Sequence, residues 1–149
     1  MKKVYIMRGI SGSGKSTYIK NNFPEAIVCS TDHYFINDDG EYIYKQNDIG
    51  LAHRVCFKKF LEYTRLGYDD SEIVVDNTNV VIWQLSPYYF AAEIYGYDVE
   101  IIEIHITAEL AAKRTLHNRT EKDLKGTLYA MNQKLPRAWK VKKIQAIGI

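Results

Sequence analysis

Cysteine is scarce: only Cys29 and Cys56 occur among 149 residues, and their separation fits no metal or redox motif. That excludes a disulfide framework and a zinc site, and leaves both thiols as small core hydrophobes of a reducing compartment. The four histidines, His33, His53, His105 and His117, are scattered without metal-ligand spacing. No apolar run reaches membrane-spanning length, so no membrane association is expected. Lys2-Lys3 opens like a signal peptide, but Arg8 and the glycines after it end the apolar run after four residues. The expected location is therefore cytoplasmic, the host cytoplasm for a phage-encoded chain. A net charge of +2 is too small to argue for nucleic acid by itself, although a basic face can exist beneath it. There is no internal repeat, no low-complexity tract and no linker.

What the chain has is an ordinary soluble composition, 46% hydrophobic and 26% charged, at a length expected to fill one domain over residues 1–149. Near its start stands Gly9-Ile10-Ser11-Gly12-Ser13-Gly14-Lys15-Ser16, followed by Thr17. This is a GxxxxGK[ST] loop. A triphosphate needs several backbone N–H groups aimed inward, and that curl favours residues without a Cβ at Gly9, Gly12 and Gly14. Lys15 supplies charge to the β and γ phosphates, and Ser16 a hydroxyl for Mg²⁺. The flanks agree: Val4-Tyr5-Ile6-Met7 reads as a strand, and Ser16 to Asn22 as a helix whose N-terminus faces the phosphates. Gly9, Ser11, Gly12, Ser13, Gly14, Lys15, Ser16 and Thr17 are thus the expected ATP-binding set.

Beyond the loop, strands and helices alternate. Ala26 to Cys29 is the second strand and delivers Ser30-Thr31-Asp32-His33-Tyr34-Phe35 to the carboxyl edge of the sheet, where open α/β sheets bind ligands. Asn37-Asp38-Asp39-Gly40 reads as a turn. A long amphipathic helix runs from Asp48, as N-cap, to Gly67, with Ile49, Ala52, Val55, Cys56, Phe60, Tyr63 and Leu66 on one face. Ile73-Val74-Val75 is a strand leading into Asp76-Asn77-Thr78-Asn79. A helix is expected from Ser86-Pro87, with proline at its first position, to Gly96. Val99 to Ile106 is the fourth strand, Thr107 caps a helix carrying Lys113 and Arg114, and Leu124 to Leu135 is the last helix. The tail from Trp139 to Ile149, with Val141, Ile144 and Ile147, reads as a final strand. Such alternation predicts an α/β fold with a four- or five-stranded parallel sheet between helices.

Three stretches beside the loop carry candidate chemistry. Asp32 has two readings, a turn cap and a general base that accepts the proton of an attacking hydroxyl; beside a phosphate loop the second is favoured. Asp76 ends an apolar strand, as an acid in the Mg²⁺ shell does, so Ser16 and Asp76 form the expected metal pair. Asn77 and Asn79 are assigned to substrate or base positioning. Arg114 and Arg119 flank His117-Asn118 in a basic segment suited to a short lid, where guanidinium groups meet charge developing on the γ-phosphoryl oxygens. A solvated helix end alone would explain Arg114.

Together, Arg8 to Thr17, Ser30 to Phe35, Ala52-His53, Val75 to Asn79 and Lys113-Arg114 with His117 resemble the polynucleotide-kinase-like branch of P-loop kinases, over nearly the whole chain. The resemblance implies a P-loop kinase core, ATP with Mg²⁺, transfer of the γ-phosphate to a 5′-hydroxyl of DNA or RNA, and Asp32 as base. Lys15, Asp32, Arg114 and Arg119 are then the catalytic set. Asp32, His53, Asn77 and Asn79 are the substrate-contacting set. The chain also departs from this pattern. Phage members carry an arginine for the acceptor phosphate three residues after the aspartate, where this chain has Phe35, and the spacing from Arg114 to Arg119 is one residue longer.

The acceptor therefore stays open between a nucleic-acid 5′ end, a hydroxylated base within DNA and a small nucleoside-like molecule. For nucleic acid, Lys134, Arg137, Lys140, Lys142 and Lys143 would supply phosphate contacts and Trp139 a stacking surface. A different class is a partner-dependent module that binds and slowly hydrolyses ATP, with some of its 12 tyrosines at an interface. Tyr88-Tyr89-Phe90 reads equally as core or interface.

Overall fold

Five segments line up as parallel strands in the computed structural model, which describes residues 1–68, 70–115 and 117–146. They are β1 (Lys3–Arg8), β2 (Ile27–Cys29), β3 (Glu72–Val75), β4 (Asp98–His105) and β5 (Val141–Gln145), in the order β2-β3-β1-β4-β5. The helices are α1 (Lys15–Asn22), α2 (Ile49–Leu66), α3 (Ile82–Ile94), α4 (Ala108–Arg114) and α5 (Glu121–Ala130). Parallel pairs require crossovers, and here helices supply them and cover both faces. Val4, Ile6, Val75 and Ile101 pack on one face with Phe60, Leu85 and Tyr88 of α2 and α3. Met7, Val74, Ile102 and Ile104 pack on the other with Ile19 of α1. Ile147 and the rest of 147–149 lie outside the described residues.

Element edges differ from expectation where side chains cap the backbone. α3 begins at Ile82, not at Ser86, because Gln84 Oε1 accepts from the N–H groups of Val80 (2.8 Å) and Val81 (3.3 Å), and Gln133 Oε1 from that of Ile82 (2.7 Å). Pro87 therefore sits inside the helix. α5 starts at Glu121 because Thr120 Oγ1 caps it through Asp123 N–H, 3.1 Å. Past its end the carbonyls of Met131 and Gln133 turn to Arg8 instead of prolonging it. The buried stripe of α2 is Ala52, Cys56, Phe60 and Thr64, a narrower face than predicted, with Ile49, Val55 and Leu66 exposed.

Two aromatic readings are settled by packing. Tyr88 and Tyr89 are core residues, whereas Phe90 is half exposed. Trp139 is no stacking platform for a nucleobase: it is buried and stacks on Tyr89, ring centroids 4.3 Å apart. Lys140 from the same stretch is paired with Glu100 at 3.2 Å. Cys29 and Cys56 are buried in the core, and burial pushes the Cys29 thiol up to about 12. Among the described residues, no helix is long and apolar enough to cross a membrane.

Candidate active site

The loop between β1 and α1 has the backbone that its glycines predict. Gly12 (φ 83°) and Gly14 (φ 99°) occupy the left-handed region. A Cβ on Gly12 would collide with the Ala111 carbonyl of α4, and one on Gly9 would lie 2.7 Å from Ser13 Oγ. Ser11 Oγ meets Thr115 Oγ1 at 2.6 Å, so the loop is fastened to the end of α4. Lys15 Nζ folds back onto the carbonyls of Gly9 (2.9 Å) and Ile10 (3.0 Å). Burial holds its ammonium below the usual lysine range, while the charges of Asp76 and Asp32 pull the other way. Thr17 is exposed on α1.

Among the described residues, two buried side-chain atoms at the loop have no hydrogen-bond partner: Ser13 Oγ, within it, and Arg114 Nη1, which stands over it. The Arg114 Nη2 atom lies 3.2 Å from where a Cβ on Gly14 would sit. Buried donors without partners are rare. Two of them around a glycine cradle, with a lysine held only by carbonyls, fit an anionic phosphate chain. Ser16 Oγ donates to Asp76 Oδ2 at 3.1 Å. Burial raises the Asp76 carboxyl above its ordinary value, against the pull of Lys15 and Ser16. No cluster of three or more His, Cys, Asp or Glu side chains suited to a metal occurs among the described residues. A Mg²⁺ ion, which keeps several waters and takes one or two carboxylates plus phosphate oxygens, fits the Ser16–Asp76 pair. Beside this pair opens a cavity of about 500 Å³ lined by Ser16, Ile19, Phe23, Val28, His33 and Asp76.

Asp32 sits in a 3₁₀ turn, Thr31–Phe35, just past β2. The cap of this turn is Ser30, whose Oγ accepts from Asp32 N–H at 3.1 Å. The Asp32 carboxylate is thereby released from capping. Its side chain is 49% exposed. Asn77 holds the turn in place: its Oδ1 accepts from Thr31 N–H (2.9 Å) and Thr31 Oγ1 (3.1 Å). Asn79 is also buried and donates to the Met7 carbonyl at 2.8 Å. Both side-chain amides are committed within the protein, Asn77 to Thr31 of the Asp32 turn and to Cys56 Sγ, Asn79 to the end of β1. His53 is exposed on α2 and makes no hydrogen bond among the described residues. Arg119 is not brought to the loop. Its Nη2 reaches Thr127 Oγ1 at 3.5 Å, and it lines a separate groove with Thr78, Val80, Gln84, Asp123 and Gly126.

One organising residue has no role in the expected site. Arg8, 2% exposed, ends β1 directly before the loop. It pairs with Glu103 of β4 at 2.6 Å and donates to the carbonyls of Asn79, Val80, Met131 and Gln133. A buried charge persists when paired and fully hydrogen-bonded. The signal in the sequence is a charge at the end of one apolar run, Ile6-Met7-Arg8, and a charge inside another, Ile102-Glu103-Ile104.

Known proteins share parts of this sequence and its fold. The chain is 30% identical over 104 residues to NEDD4-binding protein 2 of Homo sapiens, a match that covers 63% of this chain and 5% of that protein. Among solved structures, a gluconokinase from Sinorhizobium meliloti 1021 superposes with a TM-score of 0.61 at 13% identity, covering 97% of this chain and 82% of that one. Kti12 of Chaetomium thermophilum, solved in complex with ADP-AlF3, gives 0.61 at 14% identity, covering 95% and 87%. These likenesses concern the fold. Residues 4–134 match the AAA_33 family, described as an AAA domain. The chain belongs to that family and has the α/β fold of P-loop kinases, with a five-stranded parallel sheet flanked by helices.

Proposed function

We propose that this protein is an ATP-dependent kinase that moves the γ-phosphoryl group to an alcohol, with Asp32 as the general base. The observation that carries the reading is the Asp32 carboxylate. It is relieved of capping by Ser30, half exposed, and close enough to the loop for its charge to act on Lys15. In this reading Lys15 and the loop amides hold the phosphates, Arg114 meets the charge that spreads over the transferring group, and Ser16 with Asp76 holds Mg²⁺. A Mg²⁺ held there would supply positive charge that offsets the phosphates. Asp32 takes the acceptor proton while the O–P bond to the acceptor forms and that to ADP breaks. A switch module has no use for such a carboxylate.

The first acceptor to test is the 5′-hydroxyl of DNA or RNA. A second reading, a sugar or nucleoside alcohol without an adjacent phosphate, is favoured by Phe35. Where phage polynucleotide kinases place an acceptor-binding arginine, this side chain is 4% exposed and packed against Tyr34, Tyr42 and Tyr44. The test is transfer from γ-labelled ATP with Mg²⁺ to 5′-hydroxyl oligonucleotides, hydroxymethylated duplex DNA, nucleosides and sugar alcohols. Asp32→Asn is expected to lower transfer about 10²- to 10⁴-fold with ATP affinity retained. Equal transfer by Asp32→Asn would remove the base from the reading; label confined to sugars or nucleosides would replace the 5′ end as acceptor.

A further inference from the structure

The Asp32 carboxylate is approached from two sides by groups outside the phosphate loop. Tyr42 donates a long hydrogen bond from its hydroxyl to Oδ1, 3.4 Å, and His117 Nε2 lies 3.7 Å from Oδ2. The two rings lean on each other, centroids 5.1 Å apart and planes inclined by 58°. Tyr42 is delivered by a closed hairpin. Ile36 and Tyr42 are bridged antiparallel, Asn37 N–H donates to the Glu41 carbonyl at 2.9 Å, and Asn37 Oδ1 accepts from the N–H groups of Asp39 and Glu41. Gly40, at φ 81°, makes the turn. Burial and the Asp32 charge push the Tyr42 hydroxyl up to about 12, so it remains a donor at neutral pH.

His117 arrives from the other side of the site. Its N–H donates to Thr115 Oγ1 at 3.3 Å, the same oxygen that meets Ser11 Oγ of the phosphate loop at 2.6 Å. A series of contacts thus runs from Ser11 through Thr115 and His117 to Asp32, along the chain that seats Arg114 over Gly14. Neither contact to Asp32 is short enough to saturate it. A carboxylate has about four acceptor positions, and an incoming hydroxyl still finds one.

We propose that Tyr42 and His117 are positioning residues that fix the orientation of the Asp32 carboxylate, and that His117 ties this orientation to the segment holding Arg114 over the phosphate loop. The inference rests on Asp32 being the base. Without the pair, the half-exposed carboxylate samples several rotamers, and misplacement of this kind costs rate rather than nucleotide affinity.

The test compares His117→Ala, His117→Gln, Tyr42→Phe and Asp32→Asn. A 5′-hydroxyl oligonucleotide is the probe acceptor. Acceptor-free ATP hydrolysis, in which water takes the acceptor's place, is read in parallel so that the result does not depend on that acceptor. His117→Ala is expected to lower kcat about tenfold with the KM for ATP unchanged, and His117→Gln to recover most of it, because its amide N–H reaches the same place. Tyr42→Phe should lose about threefold, having kept the ring. An unchanged kcat in His117→Ala, a glutamine variant no better than alanine, or a loss that follows the KM for ATP would overturn the proposal. If Asp32→Asn is as active as the native chain, the base assignment itself fails. If Asp32→Asn is inactive and His117→Ala keeps the native kcat, only the positioning role fails.

Discussion

In the proposed kinase reading, the nucleotide side and the acceptor side of this site are built to different standards. Around Gly9–Ser16 the chain is tightly constrained: two left-handed glycines, a hydroxyl pair at 2.6 Å, and the Ala111 carbonyl of α4 where a Cβ would intrude. Around Asp32 the contacts are long, 3.4 and 3.7 Å, and come from a hairpin and the chain beyond α4. A phosphate chain is the same in every reaction that uses ATP, so its cradle tolerates little variation. Acceptors differ, and the residues facing them ride on loops that can change without disturbing the sheet.

The sharpest way to break this contrast is to exchange the roles of the two arginines. Arg114→Ala should lower kcat about 10²- to 10³-fold, the usual cost of losing a donor aimed at developing charge. Arg119→Ala, whose exposed contact with Thr127 is worth under about 1 kcal/mol, should lower it less than about fivefold. Steady-state kinetics of the two variants checks this. Similar losses in both would place Arg119 on the nucleotide side after all.

A second test addresses the stiffness of the cradle. Gly12→Ala forces a Cβ into the left-handed region and against the Ala111 carbonyl. We expect about 1–3 kcal/mol of lost stability in urea unfolding, together with loss of ATP binding. The same substitution at Gly40, in the Tyr42 hairpin, meets no atom within 4 Å and bears only the backbone cost.

The smallest stability effect has the opposite sign. Burial raises the Asp76 carboxyl in the folded protein, so the folded state binds its proton more tightly than the unfolded chain does. Its contribution therefore falls as pH rises from the unfolded value of 3.8 through the folded one, and at neutral pH the ionised group opposes folding. Asp76→Asn should accordingly raise the melting temperature of the nucleotide-free protein at pH 7 while abolishing Mg²⁺-dependent transfer. At pH 3 the gain should vanish. A lower melting temperature at pH 7 would mean that the contacts with Ser16 and Lys15 outweigh burial.

Most of the fold was legible because its signals are local. Apolar runs mark the strands, glycines the loop, and Ser16 to Asn22 the first helix. Element edges were less so, since Gln84 and Thr120 cap α3 and α5 earlier than propensity suggests, and a side-chain cap is only weakly written in a single sequence. On the nucleotide side the motif named its residues directly. On the acceptor side Asp32 could be singled out, but Tyr42 could not. It lies ten residues away in a hairpin, and only folding brings its hydroxyl to the carboxylate. Asn77 and Asn79 show the converse: a polar run after an apolar strand reads as substrate contact, yet both amides satisfy backbone that no local rule exposes. Trp139 likewise offered a stacking surface in sequence and spends it on Tyr89.

Arg8 sets a limit on how this molecule breathes. Its guanidinium joins the ends of β1 and β4 to the start of α3 and the chain beyond α5. Separating β1 from β4 would strand a cation and a carboxylate in a nonpolar interior, at a cost of several kcal/mol, and peeling away the other segments would leave buried guanidinium N–H donors without partners. The C-terminal end of α5, although near the surface, therefore does not fray on its own. Its amides are expected to exchange with those of the central strands, as one cooperative unit, in native-state hydrogen exchange.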